Sequence, residues 1–237
     1  MSERRPAGTP TRRFRVFRLR RGDDGPSYQT FDVPKAESST VLEGLRWIKV
    51  NADPALAIRH SCFHASCGTC GVRVDGRESL ACVTSLSETD DAVTVEPMAN
   101  LPVLADLVVD MSPFVDRFVD PHPIVRPVEP VGGSASAGSD GPERFEDCIE
   151  CALCLSACPV AATDDSYVGP AALAYAQRML ERGEGDRDAI LDWADGPGGA
   201  WRCHAAFECT EACPSDVRPA QRIMALRREL VRPRERR

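Results

Sequence analysis

Cysteine is the residue type in this chain whose spacing most directly implies chemistry. The 237 residues hold 11 cysteines, in three tight groups. The first is Cys62-x4-Cys67-x2-Cys70-x11-Cys82, with "HASCGTCG" at its centre. The second, "CIECALCLSACP", places Cys148, Cys151, Cys154 and Cys158 at C-x-x-C-x-x-C-x-x-x-C spacing. The third, "CHAAFECTEACP", repeats that spacing with Cys203, Cys209 and Cys213, but Ala206 stands where its second cysteine would be. An odd count argues against a closed set of disulfides. Thiolates at such spacings are soft metal ligands.

The first group has the plant-type [2Fe–2S] spacing. Three thiolates on one short loop must converge on a small cluster. Gly68 and Gly71 are the residues that permit the backbone to approach it. Backbone N–H groups of the loop can then donate to sulfur and tune the potential. Zinc sites favour two well-separated cysteine pairs, whereas here three ligands sit within nine residues. "CFH" also admits a Rieske reading, but four cysteines already fill the ligand count. His64 is then a neighbour of the cluster or a solvated loop side chain.

The second and third groups read as a pair. In two-cluster ferredoxins the fourth cysteine of each motif serves the other motif's cluster. Cys148, Cys151, Cys154 and Cys213 then make a [4Fe–4S] site. Cys158, Cys203 and Cys209 make a site whose fourth corner faces the methyl of Ala206. A methyl has no lone pair for iron, so the expected occupant is [3Fe–4S]. Ligation of that corner by His204 or Glu208, or a loosely held fourth iron, is compatible with the same spacing. These three sets leave no cysteine over, and the crossed ligation makes folding of this region depend on its metals.

The elements that carry these ligands read as two domains, 1–104 and 105–237. "FRVFRLR" and "YQTFDVP" are strands joined by the turn "GDDGPS". "STVLEGLRWIKV" is a helix opened by a Thr40/Glu43 capping box, with Val41, Leu45 and Ile48 on one face. "VRV" and "AVTVEP" are further strands, which makes a small α+β domain. From Leu104 the spacing in "LADLVVDMSPFVDRF" is helical, with a second helix starting at Ser112. The Pro-, Gly- and Ser-rich stretch within 127–144 reads as a flexible loop. "PAALAYAQRMLERG" and Arg218 to Leu230 are helices, so the second domain is read as all-helical.

Net charge is −7, which argues against a nucleic-acid partner. Arginines crowd both ends, six between Arg12 and Arg21 and six between Arg227 and Arg237. They read as solvated arms, with an anionic membrane or acidic partner as the other reading. No apolar run approaches the ~20 residues of a membrane span. No export signal is legible, so a reducing compartment is expected. No G-x-G-x-x-G follows a strand, so flavin or nicotinamide must sit on another chain. No catalytic residue is assigned on this one. A chain that carries three kinds of electron centre and no substrate site is a wire.

The order of these motifs resembles the iron–sulfur subunit of succinate dehydrogenase and fumarate reductase, from about Phe14 onward. "LVVDMSPF" and "VGPAALAYAQR" between the cysteine groups belong to the resemblance. It implies a β-grasp plant-type [2Fe–2S] ferredoxin domain that meets a flavoprotein subunit, then an all-helical bacterial-ferredoxin-like domain. It further implies FAD on the flavoprotein, a membrane-anchor subunit carrying any haem, and quinone as electron acceptor. The chain would lie peripherally on the cytoplasmic face of the cell membrane. Succinate oxidation is the expected direction, and fumarate reduction the alternative. Pro159 and His204 match positions bordering the family's quinone pocket. An imidazole there can hydrogen-bond a quinone oxygen and support proton uptake; the plainer reading of His204 is a surface histidine.

Two departures stand out. Many succinate dehydrogenases carry a tryptophan pair where this chain has Ala162 and Thr163, and fumarate reductases lack that pair. "CFHASC" also replaces the family's Arg–Glu after the first cysteine, so His64 removes a negative charge near the [2Fe–2S] site. That exchange predicts a higher potential there. Other readings are a soluble multi-cluster carrier, the electron subunit of a thiol-driven fumarate reductase, and a zinc scaffold. The thiol-driven type adds cysteine-rich sequence after the last motif, and no cysteine follows Cys213 here.

Overall fold

The computed structural model describes residues 10–87, 91–118 and 148–233. They fall into two compact units that divide between Met111 and Ser112. The first unit thus runs beyond the boundary at 104 read from the sequence. The 127–144 stretch and the last residues of the C-terminal arginine run, 234–237, lie outside the described residues.

In the first unit, β1 (Thr11–Arg18) and β2 (Ser27–Pro34) form an antiparallel hairpin. Phe14 and Val16 point into the core, as the period of 2 in a half-buried strand requires. Helix α1 (Val41–Asn51) starts at the expected capping box: Glu43 N–H donates to Thr40 Oγ1 at 3.2 Å, and Thr40 N–H to Glu43 Oε2 at 2.9 Å. Val41, Leu45 and Ile48 are buried. At Gly44 the helix meets β1 so closely that a Cβ would sit 2.1 Å from Phe14 Cζ.

The chain then enters the cysteine loop and returns through β3 (Gly71–Val74) and β4 (Arg77–Leu80), an antiparallel hairpin. Strand β5 (Ala92–Glu96) lies between β3 and β1, parallel to β1. The order β2-β1-β5-β3-β4 is that of a β-grasp sheet.

Residues 103–109 depart from the helical expectation. They form a small hairpin, β6 (Val103–Ala105) with β7 (Val108–Val109). Asp106 turns the chain at φ 45. Its buried carboxylate accepts from Arg18 Nε, Leu19 N–H and Ala57 N–H at 3.1, 3.1 and 2.9 Å. Those polar contacts, invisible to periodicity, outweigh the local helical spacing. They also correct the reading of Arg12–Arg21 as a solvated arm. Arg18 is buried between Asp53 and Asp106, and buried Arg12 donates to the Ser38 carbonyl at 2.6 Å.

The described part of the second unit is helical: α2 (Ser112–Val115), α3 (Leu153–Ser156), α4 (Pro170–Arg182), α5 (Arg187–Asp195), α6 (Glu208–Glu211) and α7 (Pro219–Leu230). Pro170 opens α4 and Gly183, at φ 66, closes it. Helix α5 was not read from the sequence. Its N-cap Asp186 accepts from Asp188 and Ala189 N–H at 2.9 and 3.2 Å. Ala174, Ala176, Ile223 and Leu226 are buried where α4 and α7 pack together.

Candidate metal centres

The first cysteine loop is wound by left-handed residues at Phe63, Ala65 and Gly68, with φ 65, 59 and 69. That winding turns N–H groups toward sulfur: Ser66 and Cys67 N–H approach Cys62 Sγ at 3.2 and 3.3 Å, and Ala65 N–H approaches Cys82 Sγ at 3.4 Å. Thr69, not singled out by its spacing, places its hydroxyl 3.2 Å from Cys67 Sγ. Gly68 supplies positive φ as expected, while Gly71 is a strand residue paired with Leu80. Burial works against ionisation of Cys67, but hydrogen bonds from Thr69 and Cys62 outweigh it and bring the thiol down to about 6. Cys70, buried at the head of β3, is pushed up to about 12. His64 is exposed beside exposed Phe63, whose ring lies 5.3 Å from that of His60.

Two further clefts lie in the second unit. Cys148, Cys151, Cys154 and Cys213 line one of about 390 Å³, together with Phe114 and Val217. Cys158, Cys203 and Cys209 line another of about 290 Å³, together with Pro159, His204, Ala206, Glu208 and Tyr167. The structure therefore brings together the crossed sets expected from the motifs, with Cys213 and Cys158 each leaving its own motif for the other cleft. Burial raises Cys151 to about 12 and Cys154 well above its ordinary value, and the neighbouring thiols act in the same direction. Burial likewise raises Cys209 to about 12 and Cys158 above its usual range, with Cys203 adding to both.

The two motifs share one backbone. Glu150 and Ala152 have φ 51 and 64, and the equivalent Ala205 and Phe207 have φ 55 and 67. Each motif then opens a four-residue helix, α3 or α6. Ala206 thus occupies the chain position that Cys151 occupies in the other copy, with a methyl in place of a thiol. It is exposed, as are Pro159 and His204 on the same cleft.

The donor set fits iron–sulfur clusters. Apolar clefts that gather three or four thiols can hold them as thiolates only against a strongly positive group. Ala205 N–H approaches Cys203 Sγ and Val217 N–H approaches Cys213 Sγ, each at 3.4 Å, as donors to thiolate sulfur do. The Tyr167 hydroxyl is buried without a hydrogen-bond partner. Burial raises its pKa, and Cys203, Cys158 and Cys209 follow as causes. Among the described residues no three His, Cys, Asp or Glu side chains converge tightly enough for a single metal ion.

Tyr167 escaped the sequence reading, and Arg227, read as the start of a solvated C-terminal arm, is instead partly buried against backbone carbonyls. Arg227 Nε and Nη2 donate to the Ala200 carbonyl at 3.0 and 2.8 Å, and Nη2 also to that of Cys203. The signal for Tyr167 was its place just before "VGPAALAYAQR", but spacing carries no information about burial.

Residues 13–116 match the model of a 2Fe-2S iron-sulfur cluster binding domain, and residues 144–217 that of a 4Fe-4S dicluster domain. The chain is 40% identical over 212 residues to the fumarate reductase iron-sulfur subunit of Mycobacterium tuberculosis, covering 85% of each chain. It is 31% identical over 239 residues to the succinate dehydrogenase iron-sulfur subunit of Paracoccus denitrificans, covering 96% of this chain and 91% of that one. A chain of the Mycobacterium smegmatis Sdh1 complex in the apo form superposes with a TM-score of 0.73 at 25% identity, covering 94% of this chain and 96% of that one.

Proposed function

The chain belongs to the family of iron–sulfur subunits of succinate dehydrogenase and fumarate reductase, and from that premise we propose that it conducts single electrons between FAD on a flavoprotein subunit and a quinone at a membrane-anchor subunit. We assign Cys62, Cys67, Cys70 and Cys82 to [2Fe–2S], Cys148, Cys151, Cys154 and Cys213 to [4Fe–4S], and Cys158, Cys203 and Cys209 to [3Fe–4S]. When bound, these groups supply one-electron redox couples.

The protein's own part is to hold sulfur, exclude water and manage protons. The observation that carries the reading is Ala206: a ligand position kept in backbone and lost in side chain, on a cleft flanked by exposed Pro159 and His204. A quinone reaching that rim meets an imidazole able to exchange a proton at its oxygen. Those residues serve succinate oxidation, the direction we assign, and the reverse equally. No helix among the described residues is long and apolar enough to cross a membrane. We place the chain at the cytoplasmic face through its anchor partner.

EPR of the purified complex tests this. An oxidised [3Fe–4S] centre is paramagnetic, whereas an oxidised [4Fe–4S] centre is silent. We expect the three-iron signal in the oxidised complex, bleached when succinate is added. Iron analysis with no such signal, or zinc in its place, sinks the assignment.

A further inference from the structure

Tyr167 is 1% exposed, and its hydroxyl is shut away from solvent with no hydrogen-bond partner. Buried hydroxyls in folded proteins are hydrogen-bonded, so such an orphan marks a partner of another kind. Its surroundings name that partner. The ring lines the cleft of Cys158, Cys203 and Cys209, which Ala206 also lines.

The hydroxyl has little freedom to turn elsewhere. Tyr167 N–H donates to the Asp164 carbonyl at 3.2 Å, and Val168 N–H to that of Gly198 at 3.0 Å. Gly198 sits so close beneath that a Cβ there would lie 2.0 Å from the Ser166 carbonyl oxygen. The segment is pinned on both sides of the ring.

We infer that Tyr167 donates its phenolic hydrogen to a thiolate or sulfide sulfur of the centre held by Cys158, Cys203 and Cys209, and thereby raises the reduction potential of the three-iron centre. The inference rests on the three-iron assignment of this cleft. Reduction adds negative charge to the sulfurs, so a donor aimed at one of them stabilises the reduced state more than the oxidised state. Tyr167 acts through the sulfur and is a tuning residue, not a catalytic one. A high-potential final centre favours delivery of electrons to the end of the relay beside the quinone rim.

The test is an EPR redox titration of the intact complex carrying Tyr167→Phe, which keeps the ring and removes the donor. At a fixed ambient potential we expect the ratio of reduced to oxidised three-iron centre to fall about tenfold, a midpoint lower by about 59 mV for a one-electron couple. The [2Fe–2S] midpoint should not move. An unchanged three-iron midpoint overturns the inference and leaves the cluster assignment standing. A wild-type complex without the three-iron signal overturns both. Should Tyr167→Phe fail to assemble the centre, unmutated protein grown on fluorotyrosine decides. Its more acidic hydroxyl is a stronger donor, so the three-iron midpoint should rise, and a midpoint that stays in place overturns the inference.

Discussion

Arg227, on α7, donates a hydrogen bond to the carbonyl of Cys203, a proposed ligand of the last centre. The same guanidinium spans the Ala200 and Trp201 carbonyls and lies 5.4 Å from the Trp201 ring centroid. A planar guanidinium spreads five donors in fixed directions across three carbonyls, whereas a lysine ammonium presents its three donors from a single point. Arg227→Lys should therefore loosen the turn that presents Cys203 and His204. We expect the three-iron EPR intensity per protein to fall several-fold, in line with about 1–3 kcal/mol for the carbonyl bonds lost. The [4Fe–4S] signal, held by the other cleft, should persist. Equal loss of both signals would show instead that Arg227 supports the whole unit.

Ala206→Cys puts a thiol at a position whose two neighbours share the left-handed backbone of the residues flanking Cys151. The site should then take a fourth iron. Total iron should rise by about one atom per protein, and the oxidised EPR signal should vanish because the resident group becomes four-iron. A four-thiolate, four-iron centre has a different redox couple from the three-iron one, so quinone-linked turnover should fall about tenfold or more. Retention of the three-iron signal would mean that something other than the missing thiol limits the site, Glu208 on the same cleft being the first residue to examine.

How far the sequence reaches is clear from these same residues. The rule that paired ferredoxin motifs exchange their fourth cysteine, applied to the spacing, grouped Cys213 with Cys148, and Cys158 with Cys203. The Thr40/Glu43 cap and the α4 and α7 faces were legible because they are local. Strands β6 and β7 were not, since Asp106 is fixed by Arg18 and Ala57, distant in sequence. Arg12 and Arg18 read as part of a solvated basic run although both are buried in the first unit. Tyr167 and Arg227 act through burial and carbonyl direction, which no periodicity records.

Gly198 offers a way to move Tyr167 without touching its ring. An alanine Cβ there would stand 2.0 Å from the Ser166 carbonyl oxygen, a backbone atom that cannot step aside alone. Gly198→Ala should push the segment carrying Tyr167, at a cost of about 1–3 kcal/mol from overpacking. The measurable outcome is a broadened, lower three-iron midpoint alongside a lower melting temperature. A changed melting temperature with an unchanged midpoint would place the strain away from the cleft.

The first unit should carry a separate acid response, set by Asp53. Burial tends to raise its pKa, but the hydrogen bond from Arg18 at 2.6 Å, the Ala55 N–H and the charges of Arg18 and Arg20 prevail and lower it. A folded value below the unfolded one of about 3.9 means that the carboxylate contributes fully above roughly pH 5. The contribution disappears as pH falls through the lowered folded value. Asp53→Asn leaves Arg18, buried beside Asp106, short of one counter-charge. We expect a loss of about 1.5 kcal/mol at pH 7, the lower end for a hydrogen bond to a charged group, because Asp53 is partly exposed and Arg18 keeps Asp106. Urea unfolding followed by tryptophan fluorescence, with Trp47 on α1 reporting this unit, should show a gap between wild type and variant that is constant from about pH 8 to 5 and narrows below about pH 4. A gap that persists unchanged into acid would mean that the carboxylate's charge contributes nothing, and that Asp53 acts through the shape of the turn held by its bond to Ala55 N–H.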